Sequence, residues 1–294
     1  MTASQLPLVN AFCIGASKCG TTTLYDVLAR HEDCCASIPK ETNYFLSDDL
    51  VGQGIGGYFS TFYQHYNGES VCIDVSPLYS SVKINLVLDR ISNYNPNAKI
   101  IYLVREPISM LKSLWKMVYR FNKLRGVRTP ASIMALKGFE PWLDWCEVNN
   151  KSKINEVMYG TKINSILKYF PASSLYVGSL ETLENDIELI VSFLGLSAIP
   201  KCNYVSIKSN KSLDSIGSLS FLVPLLRLKL GKSKLPIRLQ NYLLMHFLPR
   251  KFEYNNPELS SKWRSKIYEK IVKDSSNCIY PMEKIVSSWR APGL

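Results

Sequence analysis

The sequence is poor in the residues that build metal centres. It has three histidines (His31, His65 and His246), and none of its eight cysteines (Cys13, Cys19, Cys34, Cys35, Cys72, Cys146, Cys202 and Cys278) stands in a C-x-x-C pair. The ligand spacing of the usual zinc sites is missing, so no metal is expected. Free thiols are the default in a reducing compartment, which makes a cytoplasmic location the expectation, with a Cys202–Cys278 bridge left open. No apolar run approaches the ~20 residues of a transmembrane helix. The segment MTASQLPLVNAF has no basic n-region and reads as the approach to a first strand rather than as a secretory leader. Acidic residues are also scarce, 24 against 35 Lys and Arg, for a formal charge of +11. Between 215 and 252 there are none, against seven basic residues. A cationic surface selects anionic partners: nucleotides, acidic glycans or lipid headgroups.

Apolar content is ample. Hydrophobic residues make up 46% of the 294, enough for a packed core in one sizeable α/β domain. Continuous apolar runs bounded by turn residues mark buried strands at LVNAFCIGA, CCASIP, SVCIDVSP, NAKIIYLV and SSLYVGS. Helical spacing follows several of them, at TTTLYDVLARH, 108–121, 140–150, 155–170, ENDIELIVSFLGL (closed by Gly195) and about 259–273. Strands alternating with helices predict a central parallel sheet flanked by helices. VGQGIGG at 51–57 reads as a flexible glycine loop, and the basic stretch 122–140 as another loop. No internal repeat is present.

One stretch carries chemistry directly: FCIGASKCGTTTLYDVL, residues 12–28. A strand that ends in glycine and opens a helix presents backbone N–H groups at a positive dipole end, which is an anion site. Gly15 and Gly20 have the separation of a Walker loop, yet Thr21 stands where that loop needs its lysine, and Lys18 lies inside the loop instead. A lysine there meets a phosphate from the approach side and reaches the bridging oxygen of a group being transferred. A second cation, Arg105, falls just past the strand KIIYLV, where open α/β sheets place their ligands. Ser113 lies eight residues on, about two helical turns. An arginine with a nearby hydroxyl suits a terminal phosphate.

Together these motifs resemble the sulfotransferases that use 3′-phosphoadenosine 5′-phosphosulfate (PAPS), in particular the Golgi-type and bacterial carbohydrate branch. KCGTT resembles the family's phosphosulfate loop at Lys18, Gly20, Thr21 and Thr22, and Cys19 and Thr23 belong to the same stretch. REPISMLKS resembles its 3′-phosphate segment through Arg105 and Ser113, without that segment's second basic residue. KETNYF resembles the segment whose glutamate is the catalytic base, here Glu41. DVSPLY resembles the acceptor-side segment, which implies acceptor contacts for Asp74 and Ser76; heparan-modifying members tend to carry a lysine where this chain has Val75. The likeness extends through residues 160–196 to a tail containing Trp289. It implies one domain over 1–294, a P-loop-like phosphosulfate loop, and PAPS as donor with adenosine 3′,5′-bisphosphate (PAP) as product. It also implies a carbohydrate or glycolipid acceptor, no nucleic-acid partner, and a donor-closing loop at Lys208, Asn210 and Lys211 in IKSNKSL.

Two rivals stay open from the residues alone. A P-loop kinase or NTPase would take VCID (71–74) as its magnesium strand. A non-enzymatic module would use the acid-free 215–252 region on polyanions or anionic membranes, and peripheral contact with a bacterial inner membrane is compatible with the enzyme reading too.

Overall fold

The computed structural model describes residues 7–52, 54–125, 129–198, 258–282 and 289. Five strands form one sheet: β1 (Ala11–Gly15), β2 (Cys34–Ala36), β3 (Val71–Val75), β4 (Lys99–Val104) and β5 (Leu175–Ser179). The order is β2-β3-β1-β4-β5, and every neighbouring pair is parallel. β1, β2 and β3 are buried along their whole length, which is why they read as unbroken apolar runs rather than as alternating ones.

The described helices connect and cover these strands. They are α1 (Thr21–Leu28), α2 (Asp48–Gly52), α3 (Ile55–Phe62), α4 (Ile84–Tyr94), α5 (Pro107–Arg125), α6 (Pro130–Lys137), α7 (Phe139–Asn149), α8 (Lys151–Ile154), α9 (Tyr159–Leu167), α10 (Leu183–Leu194) and α11 (Ser261–Ser276). α10 illustrates their logic: Leu183, Ile187, Ile190, Val191 and Leu194 recur on one face, all buried, and the helix stops at Gly195 as expected.

Two expected loops are helical. In the glycine-rich stretch, α2 runs to Gly52 and α3 contains Gly56 and Gly57. Glycine is a poor helix former, but burial of Tyr58, Phe59 and Tyr63 in an aromatic cluster outweighs that weakness. In 122–140, α5 continues to Arg125 and α6 starts at Pro130, where the Thr129 side chain accepts from the Ser132 N–H. Trp115 fixes the pair by donating from Nε1 to the Ala135 carbonyl at 2.9 Å. Thr-Pro at a helix start is a readable signal that the basic composition obscures.

The chain goes from β1 to one side of the sheet for β2 and β3, and to the other for β4 and β5. The reversal lies between β1 and β4, and the crevice beyond their C-terminal ends is where such sheets hold ligands. There the β1–β4 register shifts between Cys13 and Gly15, a bulge that redirects the chain into the turn preceding α1.

Candidate active site

The turn from β1 to α1 depends on two glycines. A Cβ on Gly15 would lie 2.1 Å from Ser80 Oγ, so no larger residue fits where β1 passes the turn after β3. Gly20 is the residue before α1 and is left-handed, at φ 89°. No side chain caps α1 and its first turn has no acidic residue, so the positive end of its dipole is not offset from within the helix. Thr21 is buried at that helix start, and Thr22 and Thr23 are half-buried.

Lys18 sits inside this turn, also left-handed at φ 67°. Its carbonyl accepts from Arg105 Nη1 at 3.2 Å, which stitches the β1 turn to the end of β4. The two cations expected to serve opposite ends of a nucleotide therefore meet at the switch point. Lys18 has its ammonium pKa lowered, first by burial, then by repulsion from Arg120 and Arg105, with the Glu41 carboxylate opposing. Two further cations beside Lys18 at an uncapped helix start concentrate positive potential at this turn. Cys19 points the other way: its thiol is buried, lies 4.0 Å from the Tyr159 hydroxyl and is pushed up to about 12 by burial. Cys19 thus offers the crevice its backbone only.

The end of β4 is clamped by residues that local sequence reading missed. Tyr159, at the start of α9, donates to the Arg105 carbonyl at 3.0 Å. Glu106 accepts from the Ile108 and Ser109 N–H groups at 2.9 and 2.7 Å and so caps α5. The Glu106 N–H donates to Glu181 at 3.0 Å, and Tyr268 of α11 donates to the Glu106 carboxylate at 3.1 Å. Trp289 packs on Tyr159 with ring centroids 5.7 Å apart. An acidic residue directly before Pro107 signals the α5 cap; Tyr159, Glu181, Tyr268 and Arg120 reach the site through the fold and leave no local trace. Ser113 is half-buried on α5, seven residues into the helix.

Glu41 lies in the loop after β2. Its side chain is 45% exposed and is paired with Lys40 Nζ at 2.6 Å. Asp74 and Ser76, expected on the acceptor side, are both fully buried, and Ser76 Oγ donates to Asp74 Oδ1 at 2.7 Å. Lys208, Asn210, Lys211 and the 215–252 region lie outside the described residues, as does Cys202. The seven described cysteines are free. Among the described residues no group of three His, Cys, Asp or Glu could hold a metal, and no helix is long and apolar enough to cross a membrane.

Residues 10–219 match the sulfotransferase domain family, and the chain belongs to that family. It is a sulfotransferase, and the donor of the family is PAPS. Solved sulfotransferases share the fold. One from Alicyclobacillus acidocaldarius superposes with a TM-score of 0.62 at 17% identity, over 97% of this chain and 100% of that one. A mouse sulfotransferase complexed with PAP superposes at 0.52 and 11% identity, over 95% and 88%. No curated protein matches the chain in sequence.

Proposed function

We propose that this sulfotransferase holds PAPS across the β1–β4 switch point and transfers its sulfuryl group to a hydroxyl or amine of a carbohydrate or glycolipid. The observation that carries the donor placement is the bond from Arg105 to the Lys18 carbonyl, which joins the two phosphate motifs into one cationic crevice at the start of α1. The residues fit the donor. The α1 start and the turn at Lys18–Thr23 offer backbone dipoles to the phosphosulfate. Arg105 offers a guanidinium fork to the 3′-phosphate, with Ser113 as a hydroxyl partner.

The transfer is an in-line displacement at sulfur. The acceptor loses a proton, the S–O bond to the donor phosphate breaks, and the bisphosphate leaves with the bonding electrons. Lys18 meets the charge growing on the leaving phosphate oxygen as a charge-assisted donor. Glu41, exposed beside the crevice and held near Lys18 in the electrostatic sense, takes the acceptor proton. Lys40 pairs with Glu41 until an acceptor arrives.

The discriminating experiment compares nucleotides by thermal melting. PAP should stabilise the protein by mass action, and ATP much less, because ATP lacks the 3′-phosphate that Arg105 holds. Equal stabilisation by ATP would overturn the donor placement. Screening glycans, glycolipids and small alcohols with radiolabelled PAPS then identifies the acceptor.

A further inference from the structure

A carboxylate at the centre of a sheet calls for an explanation. Asp74 lies on β3, opposite Phe12 of β1, and is fully buried. Burying a carboxyl group is costly, and a purely structural role is served as well by an apolar side chain. None of the ion pairs among the described residues includes it. Four hydroxyls converge on it instead. Oδ2 accepts from Thr42 Oγ1 at 2.6 Å, Tyr58 at 2.7 Å and Tyr79 at 2.8 Å, and Oδ1 accepts from Ser76 at 2.7 Å.

The donors come from three different places. Tyr58 belongs to α3, and Ser76 and Tyr79 to the turn after β3, while Thr42 is the direct neighbour of Glu41. The Glu41 loop needs such anchoring. Glu41 and Asn43 are both non-glycine residues in the left-handed region, at φ 66° and 51°, on either side of Thr42. Each such residue costs on the order of 1–2 kcal/mol, and the conformation persists only where surrounding bonds over-determine it. Those bonds are on Asp74 and its partners: Thr42 to Oδ2, the Asn43 N–H to Ser76 Oγ at 3.2 Å, and the Phe45 N–H to the Tyr79 hydroxyl at 3.3 Å.

We infer that Asp74 is a positioning residue: through Thr42 and Ser76 it fixes the strained loop that aims the Glu41 carboxylate at the acceptor. The inference rests on Glu41 as the base, and it gives a residue expected on the acceptor surface a buried task.

Paired variants on one oxygen test it. Thr42→Val and Tyr58→Phe each remove a hydroxyl donor from Asp74 Oδ2, but only Thr42 belongs to the Glu41 loop. Thr42→Val should lower kcat roughly tenfold to a hundredfold, the scale of a misplaced catalytic group. Donor KM and the PAP-induced melting shift should stay at wild-type values, and Thr42→Ser, which restores the hydroxyl, should restore kcat. Tyr58→Phe should keep kcat near wild type. Equal losses in Thr42→Val and Tyr58→Phe, or a wild-type kcat in Thr42→Val, would overturn the inference. If Thr42→Val does not fold, Tyr79→Phe replaces it: it too must lower kcat with PAP binding intact, and a wild-type kcat overturns the inference. Glu41→Gln separates the two claims. Full turnover in that variant removes the base and the positioning role together. Lost turnover in Glu41→Gln with unaffected Thr42→Val removes the positioning role alone.

Discussion

Gly20→Ala probes the phosphosulfate turn at its least tolerant point. Two costs add. The backbone is at φ 89°, where an added Cβ costs on the order of 1–2 kcal/mol. That Cβ would also lie 2.8 Å from Leu180 Cδ1 and 2.9 Å from Leu183 Cδ2, closer than real contacts allow. The clashing atoms are ends of leucine side chains, so they yield, and overpacking of this kind costs about 1–3 kcal/mol. The sum, about 2–5 kcal/mol, corresponds to a fall in Tm of roughly 3–8 °C for a chain of this size. The two leucines lie beside Glu181, which holds the Glu106 N–H, so relief of the clash also disturbs the clamp on β4. PAP affinity should therefore fall with stability. Melting curves with and without PAP, together with calorimetric titration of PAP, measure both effects. A Gly20→Ala protein that melts and binds PAP like wild type would refute the argument that the left-handed turn is required.

The other expectations concern charge and docking. If Lys18 acts where charge develops, as proposed, Lys18→Ala should lower kcat by about 10²–10³-fold even at saturating donor. Arg105→Ala should act mainly on the KM for PAPS, since the 3′-phosphate keeps its charge throughout; steady-state kinetics of both variants with one acceptor would expose a reversed assignment. The lowered ammonium pKa of Lys18 predicts an alkaline effect. Below that pKa the free enzyme carries the charge; as pH rises through it, PAP must bind with uptake of a proton, and affinity falls earlier than an ordinary lysine would allow. Lys18→Arg should flatten the calorimetric pH profile, because a guanidinium keeps its proton; the Cys19 thiol, at about 12, does not titrate in that range. Asp274→Ala should cost about 1–3 kcal/mol, read as a lower Tm, because it strips three bonds from the start of α9: the Gly160 N–H at 2.7 Å, the Thr161 N–H at 2.9 Å and the Thr161 hydroxyl at 2.5 Å.

What the sequence could tell depended on how far each interaction reaches along the chain. Parallel strands buried on both faces show as apolar runs, so the sheet was legible, and so was the turn at Gly15–Thr21, whose glycine spacing between a strand and a helix is a local signal. Helix α3 was hidden because aromatic packing outweighs the poor helix propensity of its glycines, and α6 because the basic composition around it masked its Thr-Pro start. The clamp on Arg105 was hidden for a related reason. Tyr159 lies 54 residues from Arg105, and Tyr268 lies 162 from Glu106.

Asp74 shows the limit most clearly. A motif reports that an acid and a hydroxyl recur near an active site, but not which way they face. In a strand, successive side chains point to opposite faces, and which face holds the core is set by neighbours far away in sequence. Here β3 lies between β2 and β1 and is buried throughout, so the Asp74 carboxylate faces protein whichever way it points. Its four hydroxyl partners span residues 42 to 79 and meet only after β2 and β3 have paired. The residues proposed to carry the chemistry, Glu41 and Lys18, lie in short local motifs, while the bonds that would hold the Glu41 loop are supplied by the assembled sheet. Substitutions that damage turnover without touching donor or acceptor should accordingly cluster on the buried hydroxyls that tie Asp74 to the Glu41 loop, those of Thr42, Ser76 and Tyr79, and spare Tyr58; kcat losses that instead followed overall stability across all four would refute this.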